Sequence, residues 1–504
     1  MDINVQTLTA IIIYLVGMLV IGILAARMTK NLTDYVLGGR RLGAGVAALS
    51  AGSSDMSSWL MLGLPGAMYA GGMGEIWIAV GLAIGAYLNW QFIAKPFRVY
   101  TEVSNDSITV PDYFENRFRD GTKLLRVISA VVILVFFTFY TSASLVGGAI
   151  LLESSFKMDY ELALWVGAAV ILSYTFFGGF LAASWTDFVQ GILMFLALII
   201  IPIVVIYELG GWGDTVNQIG AIDTSYLDVM SGATTLGIIS LLAWGLGYFG
   251  QPHIIVRFMG IKSTKEIPKA RFIGMTWMVL SLFGAIFIGF TGIAYFADAP
   301  LANSETVFIV FSQVLFNPWV AGFLLAAILA AIMSTVDSQL LVSSSALTQD
   351  FYKAIFRKEA SQKEEMWVGR IAVLVIAVIA IFLGYDRDSK VLDLVGYAWA
   401  GFGAAFGPVI ILSLFWKRMN RWGALAGMIV GAVTVVVWSI LSTPKLNEAG
   451  EVIREAVIPF SLYEIVPGFL LATITIIVVS LVTKAPSQEI LDEFDAVKEK
   501  LKKA

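Results

Sequence analysis

Three aspartates stand inside stretches of the sequence that are otherwise strongly apolar: Asp55, Asp187 and Asp337. We find no lysine or arginine deep in the same stretches to pair with them. An unpaired carboxylate in apolar surroundings either takes up a proton or recruits a cation. The pattern therefore predicts a cation pathway. The alternative is a carboxyl that is protonated or hydrogen-bonded to backbone near an interface.

Hydroxyl side chains form a second feature, close to Asp337. In AAIMSTVDSQLLVSSS, Ala331, Ser334, Thr335 and Ser338 follow the spacing i, i+3, i+4 and i+7, which places them on one helix face. Oxygen ligands suit a hard cation such as Na⁺. Small residues also let membrane helices pack closely, so the stripe alone leaves both interpretations open.

Two segments have the composition of interrupted helices. SAGSSDMSSWL places five serines and Asp55 within the nine residues 50–58, and serine, glycine and aspartate are poor helix formers. AWGLGYFGQPH, residues 243–253, contains three glycines and Pro252, which removes a backbone donor. Breaks of this kind are tolerated in a membrane only where they face protein or water. Paired breaks at matching positions are typical of inverted-repeat transporters.

Aromatic residues accompany both breaks. Trp244 and Tyr248 are four residues apart and share a helix face, and Trp59 follows the first break. Together with Tyr140 they could line a pocket for a small organic solute. Aromatic residues also anchor membrane helices at the lipid interface, which is the alternative for each of them.

The elements that position these residues are apolar segments long enough to cross a membrane. The chain has 504 residues, of which 58% are hydrophobic and 14% charged. Continuous apolar runs of about 20 residues predict membrane helices rather than barrel strands. Thirteen such segments are predicted, at 5–26, 44–70, 74–94, 125–153, 160–180, 185–208, 235–258, 273–296, 318–347, 367–384, 391–416, 422–441 and 460–483.

The distribution of basic residues orients these segments. Alternate loops hold 28 of the 33 lysines and arginines, and Arg257 is counted in one of them, the loop 257–271. Cytoplasmic loops carry the excess of positive charge. The sequence therefore predicts a multi-pass protein of the cell membrane, with the N-terminus outside and the C-terminus in the cytoplasm.

Several classes of function are excluded or disfavoured. There is no cysteine, and therefore no thiolate site. The single histidine, His253, is expected to be satisfied locally or to lie near a helix end rather than to be catalytic. We predict no enzymatic activity, no cofactor, no nucleic-acid binding and no obligatory protein partner. In the tail, Ile490, Phe494 and Val497 lie at helical spacing, which predicts an amphipathic helix on the cytoplasmic membrane surface.

The chain resembles the solute:sodium symporter family from YVLGGR at Tyr35 to KAPS at Lys484. The motifs that carry the resemblance are ALSAGSSDMSSWLMLGLPGA, GGFLAASWTD, WGLGYFGQPHI, LFNPW, AILAAIMST and YAWAGFGAAFGP. The resemblance implies an all-α membrane protein with 13 transmembrane helices and LeuT-type inverted five-helix repeats. The first and sixth core helices would be discontinuous. The implied divisions are 1–42, the first repeat 43–209, the loop 210–233, the second repeat 234–416, two added helices 417–483 and the tail 484–504.

The resemblance also implies the transported species and their sites. Sodium would be the coupling ion, bound by the carbonyls of Ser53, Met56 and Ala331 and the hydroxyls of Ser334 and Thr335, with Asp55 critical. As in the family's proline carriers, the expected substrate is L-proline. The residues expected to bind it are Ser57, Ser58, Trp59, Tyr140, Trp244, Tyr248 and Pro252. Some members with other substrates bind a second sodium ion, for which the candidates here are Asp187, Asp337 and Ser338.

Three alternatives to proline symport remain at this point. The solute could be another amino acid, a short carboxylate or pantothenate. A cation channel would also explain acidic residues in apolar segments, but it predicts current without solute dependence. A sensor built on a transporter scaffold would need a signalling domain, whereas the tail after Lys484 has about 20 residues.

Overall fold

The structure, a computed structural model, is almost entirely helical. It describes residues 4–28, 32–175, 179–231, 234–357, 359–387, 389–442, 444–446, 452–454, 456–458 and 462–503. The α-helices are α1 (Val5–Ala26), α2 (Leu32–Leu37), α3 (Ala44–Asp55), α4 (Leu64–Gly71), α5 (Ile76–Leu88), α6 (Ala94–Val103), α7 (Val110–Phe118), α8 (Leu124–Phe156), α9 (Tyr160–Thr175), α10 (Phe180–Glu208), α11 (Trp212–Ile222), α12 (Thr235–Leu242), α13 (Pro252–Gly260), α14 (Ile267–Tyr295), α15 (Val307–Val314), α16 (Pro318–Ser345), α17 (Gln362–Leu383), α18 (Val391–Phe415), α19 (Arg421–Ser442), α20 (Ile465–Val482) and α21 (Gln488–Lys503).

Tighter and wider helical turns connect several of these helices. In the described ranges, three segments are π-helical: Trp59–Gly63, Asn89–Ile93 and Ala346–Phe356. Six further segments of the same ranges are 3₁₀-helical: Gly38–Arg40, Gly72–Glu75, Thr224–Leu227, Ala243–Gly250, Thr264–Glu266 and Ser304–Thr306. Within the described residues the only sheet is an antiparallel pair, β1 (Lys445–Leu446) and β2 (Val452–Arg454). The predicted all-α class is therefore confirmed, apart from this short hairpin.

Nine helices in the described part of the chain are long and apolar enough to cross a membrane. Four shorter apolar helices accompany them, at Tyr160–Leu172, Thr235–Gly250, Ser304–Val314 and Trp367–Leu383. Each of the thirteen predicted segments contains helix, whereas Ser304–Val314 lies outside all of them. Among the nine, the segments containing α16 and α18 are the most buried, with 83% of their most apolar window inside the protein. The hydroxyl stripe on α16 therefore faces protein rather than lipid.

Both predicted helix breaks are present. α3 ends at Asp55, and Met56 leaves the helical region with φ −85° and ψ 78° before the chain coils again at Trp59. The second break follows the 3₁₀ segment Ala243–Gly250: Gln251 is extended, with φ −78° and ψ 109°, and α13 begins at Pro252. Proline at the first helical position needs no hydrogen-bond acceptor for its nitrogen, which explains where α13 starts.

Glycines let the backbone of α5 contact the backbone of the second break directly. A Cβ atom at Gly85 would lie 2.1 Å from the carbonyl oxygen of Gly245, and one at Gly245 would lie 2.2 Å from that of Gly81. Any side chain at these positions would force the two segments apart. Small residues thus allow the close backbone contact that membrane helix packing favours.

The predicted tail helix forms, and the protein covers its apolar face. In α21, Ile490, Phe494 and Val497 are buried against the protein, and the Phe494 ring lies 6.3 Å from the Tyr100 ring of α6. Arg119 adds an ion pair to Glu493 at 2.6 Å. The apolar stripe of the amphipathic helix therefore serves to attach the tail to the protein.

We expect Phe494→Ala to release α21 while leaving the membrane helices folded. Phe494 is 1% exposed, and truncating a buried phenylalanine costs about 3–5 kcal/mol. Limited proteolysis should then cut the tail at least tenfold faster than in the wild type. Glu499→Ala, on the exposed face of the same helix, is the control and should leave the cleavage rate unchanged. Equal rates of tail cleavage in the two variants would contradict the packing of Phe494 against the protein.

Candidate functional site

The first break and the hydroxyl stripe of α16 meet in the interior. The Ser334 hydroxyl lies 2.8 Å from the Ser53 carbonyl oxygen and 3.1 Å from the Ala331 carbonyl oxygen. All three residues are fully buried. The structure thus brings together three of the oxygen-bearing groups predicted for a sodium ion, one of them from the broken helix and two from α16.

Thr335 and Met56 are the remaining oxygen donors of that predicted set. Both are fully buried, and the Thr335 hydroxyl has no hydrogen-bond partner among the residues that the structure describes. Met56 lies in the non-helical turn of the first break. A buried hydroxyl without a protein partner is rare, because leaving it unsatisfied costs about 1–3 kcal/mol. Its most direct use is as a ligand of something that the protein binds.

Asp55 links the first break to the second. Its carboxylate oxygen Oδ2 accepts a hydrogen bond from the Tyr248 hydroxyl, and Oδ1 has no partner in the described part of the chain. Its backbone carbonyl accepts from the Tyr140 hydroxyl and from Trp59 Nε1, each at 3.0 Å. The aromatic residues predicted near the breaks therefore gather on Asp55 itself, with Trp244 as the exception.

Trp244 makes different contacts. Its ring stacks on Tyr463 with centroids 5.3 Å apart, and its carbonyl accepts from Trp399 Nε1 at 2.7 Å. Trp399 in turn packs edge-on against Tyr248, with centroids 5.0 Å apart. Trp244 is thus connected to the Asp55 cluster through Trp399. Sequence reasoning missed Trp399 and Tyr463, since nothing in their local spacing points to the breaks.

The smaller predicted substrate residues are also buried. The Ser57 hydroxyl accepts from the Trp59 amide at 3.4 Å, and the Ser58 hydroxyl has no partner among the described groups. Pro252 lines a cavity together with Thr109 and Asp350. The structure therefore places Ser57 and Ser58 at the first break, whereas Pro252 begins the helix after the second break.

A small cavity lies beside Asp55, Met56 and Tyr248. Asn89 lines it as well, and its side-chain amide donates to the Tyr248 carbonyl oxygen at 2.9 Å. Sequence reasoning missed Asn89. The signal was present, because an uncharged polar residue in the apolar segment 74–94 is itself unusual.

Asp187 has a basic partner, which corrects the prediction that no arginine lies deep enough to pair with it. Arg257 Nη2 lies 3.1 Å from Asp187 Oδ2, and both side chains are fully buried. The same oxygen accepts from the Ser50 hydroxyl at 2.7 Å. Arg257 was assigned to a loop by its charge, whereas the second break starts a new helix, α13, that carries it into the interior.

The other residues predicted for a second sodium ion lie near the same guanidinium. Ser338 Oγ is 2.5 Å from Arg257 Nη2 and 2.9 Å from the Ser334 carbonyl oxygen. Asp337 is 5% exposed. Arg257 thus contacts two of the three residues predicted for a second sodium ion, Asp187 and Ser338.

His253 lies near a helix end, which is one of the two arrangements expected for it, since it is the second residue of α13. Both of its ring nitrogens are buried without a partner in the ranges that the structure describes. The ring instead packs edge-on against Phe137 and Tyr140, with centroids 5.5 and 5.9 Å away. The His253 carbonyl oxygen accepts from Arg257 Nη1 at 2.6 Å.

The oxygen groups gathered at the first break are of the kind that hard cations prefer. Among the described residues, no group of three or more histidine, cysteine, aspartate or glutamate side chains is placed to hold a metal. Hydroxyl and carbonyl oxygens around a single nearby carboxylate are the ligands that hard cations prefer.

Comparison with known sequences gives matches over nearly the full length. The model of the Sodium:solute symporter family matches residues 35–431. The chain is 54% identical over 480 residues to the high-affinity proline transporter PutP of Bacillus subtilis (strain 168), which covers 95% of this chain and 98% of that one. It is 53% identical over 500 residues to the sodium/proline symporter of Escherichia coli (strain K12), which covers 98% and 96%.

Comparison with solved structures shows a shared fold. The structure of a Na⁺-coupled sialic acid symporter in a substrate-bound outward-open state matches with TM-score 0.78 and 19% identity, and covers 97% of this chain and 100% of that one. Mhp1, a nucleobase-cation-symport-1 family transporter, in a closed conformation, matches with TM-score 0.58 and 13% identity, and covers 93% and 99%.

Proposed function

The chain belongs to the sodium:solute symporter family, and from this membership we propose that it imports L-proline together with Na⁺ by alternating access. The predicted resemblance to the family is confirmed. Relatives that are 53% and 52% identical to the chain are named sodium/proline symporters, which supports proline as the solute. The observation that carries the proposal is the contact between the Ser334 hydroxyl and the Ser53 carbonyl at the broken helix.

Sodium is proposed to bind where α3 breaks beside α16. The ligands would be the carbonyl oxygens of Ser53, Met56 and Ala331 and the hydroxyl oxygens of Ser334 and Thr335. Asp55 would supply the compensating negative charge, since one of its carboxylate oxygens has no partner in the described chain. An ion that joins the two helices would favour the form in which the solute site is complete.

Proline is proposed to bind as a zwitterion beside the first break. Its carboxylate would face the backbone N–H groups that begin the helical segment after Ser57, where the helix dipole is positive. Its ring would pack on the aromatic side chains of Trp59, Tyr140, Trp244 and Tyr248. Ser57, Ser58 and Pro252 complete the proposed set.

The proposed architecture places the observed helices in a membrane. Thirteen helices would span the cell membrane, with repeats at 43–209 and 234–416, an outside N-terminus and a cytoplasmic C-terminus. The paired breaks at Met56 and Gln251 and the bias of basic residues support this arrangement. Transport rather than catalysis is the proposed activity.

The driving force is sufficient for accumulation. Moving one charge across about 100 mV supplies about 2.3 kcal/mol, and a tenfold sodium gradient adds about 1.4 kcal/mol. Together, about 3.7 kcal/mol supports roughly several-hundredfold accumulation at one ion per proline.

The proposal is tested with purified protein in lipid vesicles. Labelled proline should accumulate when an inward Na⁺ gradient is imposed and should equilibrate only slowly when choline replaces Na⁺. Excess unlabelled proline should abolish the signal. Uptake that is equal in choline, with no other ion gradient, would contradict sodium coupling. Uptake of another solute that proline does not inhibit would contradict proline as the substrate.

Thr335→Val should weaken sodium dependence without weakening the fold. The change keeps the side-chain shape and removes a hydroxyl that has no partner in the described structure. We expect the half-saturating Na⁺ concentration for proline uptake to rise about tenfold, which corresponds to one lost ligand of about 1.4 kcal/mol. Thermal unfolding measured without sodium should not change.

Thr291→Val is the matched control for this prediction. Thr291 is also fully buried in an apolar helix, but its hydroxyl bonds the Phe287 carbonyl oxygen of its own helix at 2.7 Å. Its sodium dependence should match that of the wild type. Equal sodium dependence in both variants would exclude Thr335 as a ligand.

A further inference from the structure

Arg257 makes four hydrogen bonds, and all of them are buried. Nε donates to the Ser50 hydroxyl at 3.1 Å and Nη1 to the His253 carbonyl oxygen at 2.6 Å. Nη2 donates to Asp187 Oδ2 at 3.1 Å and to Ser338 Oγ at 2.5 Å. The guanidinium thus joins α3, α10, α13 and α16 at one point, next to the proposed sodium site.

We propose that Arg257 is a fixed cation that occupies the place of a second sodium ion and positions the ligands of the first. The inference rests on the proposed function, since it concerns the same ion site. In this view Asp187 is the counter-ion of a protein side chain and not an ion ligand. Arg257 itself does not contact the transported ion, so it is a positioning residue.

Geometry argues against a second ion at this place. Two oxygens of the predicted second site, Asp187 Oδ2 and Ser338 Oγ, both contact the same nitrogen, Arg257 Nη2. An ion between them would have to displace that nitrogen. Like charges at contact distance inside a protein repel strongly, because little solvent screens them.

Hydrogen bonds connect Arg257 and its partner Asp187 to the residues of the proposed sodium site. Ser338, held by Arg257, donates to the Ser334 carbonyl oxygen at 2.9 Å. On the other side, the Ser53 hydroxyl donates to the Asp187 carbonyl oxygen at 3.0 Å. Ser53 and Ser334 then meet at 2.8 Å, where the ion is proposed to bind. Displacing the guanidinium would therefore move oxygens on both helices that form the site.

The pairing is tested first by stability, which does not depend on transport. Arg257→Gln and Asp187→Asn each leave one buried charge without its partner, and that is strongly destabilising, whereas removing both charges together is often tolerated. Each single variant should unfold at a lower temperature than the wild type, and the double variant Asp187→Asn/Arg257→Gln should recover most of the loss. If the decreases in unfolding temperature of the two single variants add up in the double variant, the proposed pairing is overturned.

The ion count is tested by binding of radioactive sodium to purified protein without proline. We expect one Na⁺ per wild-type protein at saturation. In the double variant, one Na⁺ should bind at least tenfold more weakly because its ligands are less well held. Binding of two Na⁺ ions to the wild type, with one of them lost in Asp187→Asn, would overturn the inference. The count of ions on the wild type can be interpreted even if a variant does not fold.

Controls separate this inference from the function on which it rests. Arg387→Gln removes an arginine from an ion pair with Glu153 in which the arginine is 70% exposed, and it should change neither unfolding nor sodium binding. Suppose that the wild type binds one Na⁺ and the double variant recovers its stability, but the wild type does not transport proline. That result would support the inference about Arg257 and contradict the proposed substrate. Sodium-driven proline uptake by a wild type that binds two sodium ions would support the proposed function and contradict the inference about Arg257.

Discussion

Replacing Asp55 with Asn should raise the half-saturating Na⁺ concentration for proline uptake about a hundredfold or more. Asp55 is 2% exposed, and one of its carboxylate oxygens has no partner in the described structure. Removing one member of a buried charge pair costs about 2–5 kcal/mol, and each 1.4 kcal/mol is about tenfold in affinity. The shape of the residue is conserved, so the protein should still insert in the membrane.

Tyr248→Phe distinguishes a charge effect from a structural one. It removes the hydroxyl that donates to Asp55 Oδ2 and keeps the carboxylate. If Asp55 acts through its charge, Tyr248→Phe should shift sodium dependence far less than Asp55→Asn does. If Asp55 only anchors the two breaks, the variants should behave alike. Normal sodium dependence in Asp55→Asn would exclude both roles.

The two helix breaks could be predicted because their causes are local. Serine, glycine and aspartate around Asp55 are poor helix formers, and Pro252 cannot continue a helix that precedes it. The same holds for the stripe on α16, since its spacing alone places Ser334 and Thr335 on neighbouring positions of one face. These features depend on neighbours in sequence, which periodicity and propensity describe.

Arg257 could not be placed in this way, because its position depends on tertiary structure. A charge near the end of an apolar segment normally marks a loop. Here the second break shortens the helix, and α13 carries Arg257 inside to meet Asp187 from α10. Only the combination of the break and the partner makes burial of the guanidinium tolerable. Trp399 and Tyr463 were missed for the same reason.

Taken together, the buried aspartates divide into two kinds. Asp187 is neutralised by a protein cation, whereas the described structure gives Asp55 a tyrosine hydroxyl and no basic partner. The difference agrees with the proposal, in which Asp187 serves the architecture and Asp55 supplies the negative charge for Na⁺. Composition alone gave both aspartates the same interpretation.

Replacing Gly247 with Ala should lower proline affinity about 5- to 150-fold, because it disturbs the packing that supports the second break. A Cβ atom at Gly247 would lie 1.8 Å from Trp399 Nε1. That nitrogen donates to the Trp244 carbonyl oxygen, and its ring packs on Tyr248. Forcing an extra carbon into a packed interior costs about 1–3 kcal/mol, which is about 5- to 150-fold in affinity.

The measurement is the KM for proline at saturating Na⁺, compared between variants that insert equally well. Gly213→Ala is the matched control, because no atom lies within 4 Å of the Cβ it would add, and its KM should not change. Combining Gly247→Ala with Trp399→Phe removes the ring nitrogen that clashes and should restore part of the lost affinity. A single variant with normal KM would show that the indole moves aside freely. The contact between Trp399 and the second break would then not determine how the aromatic residues hold proline.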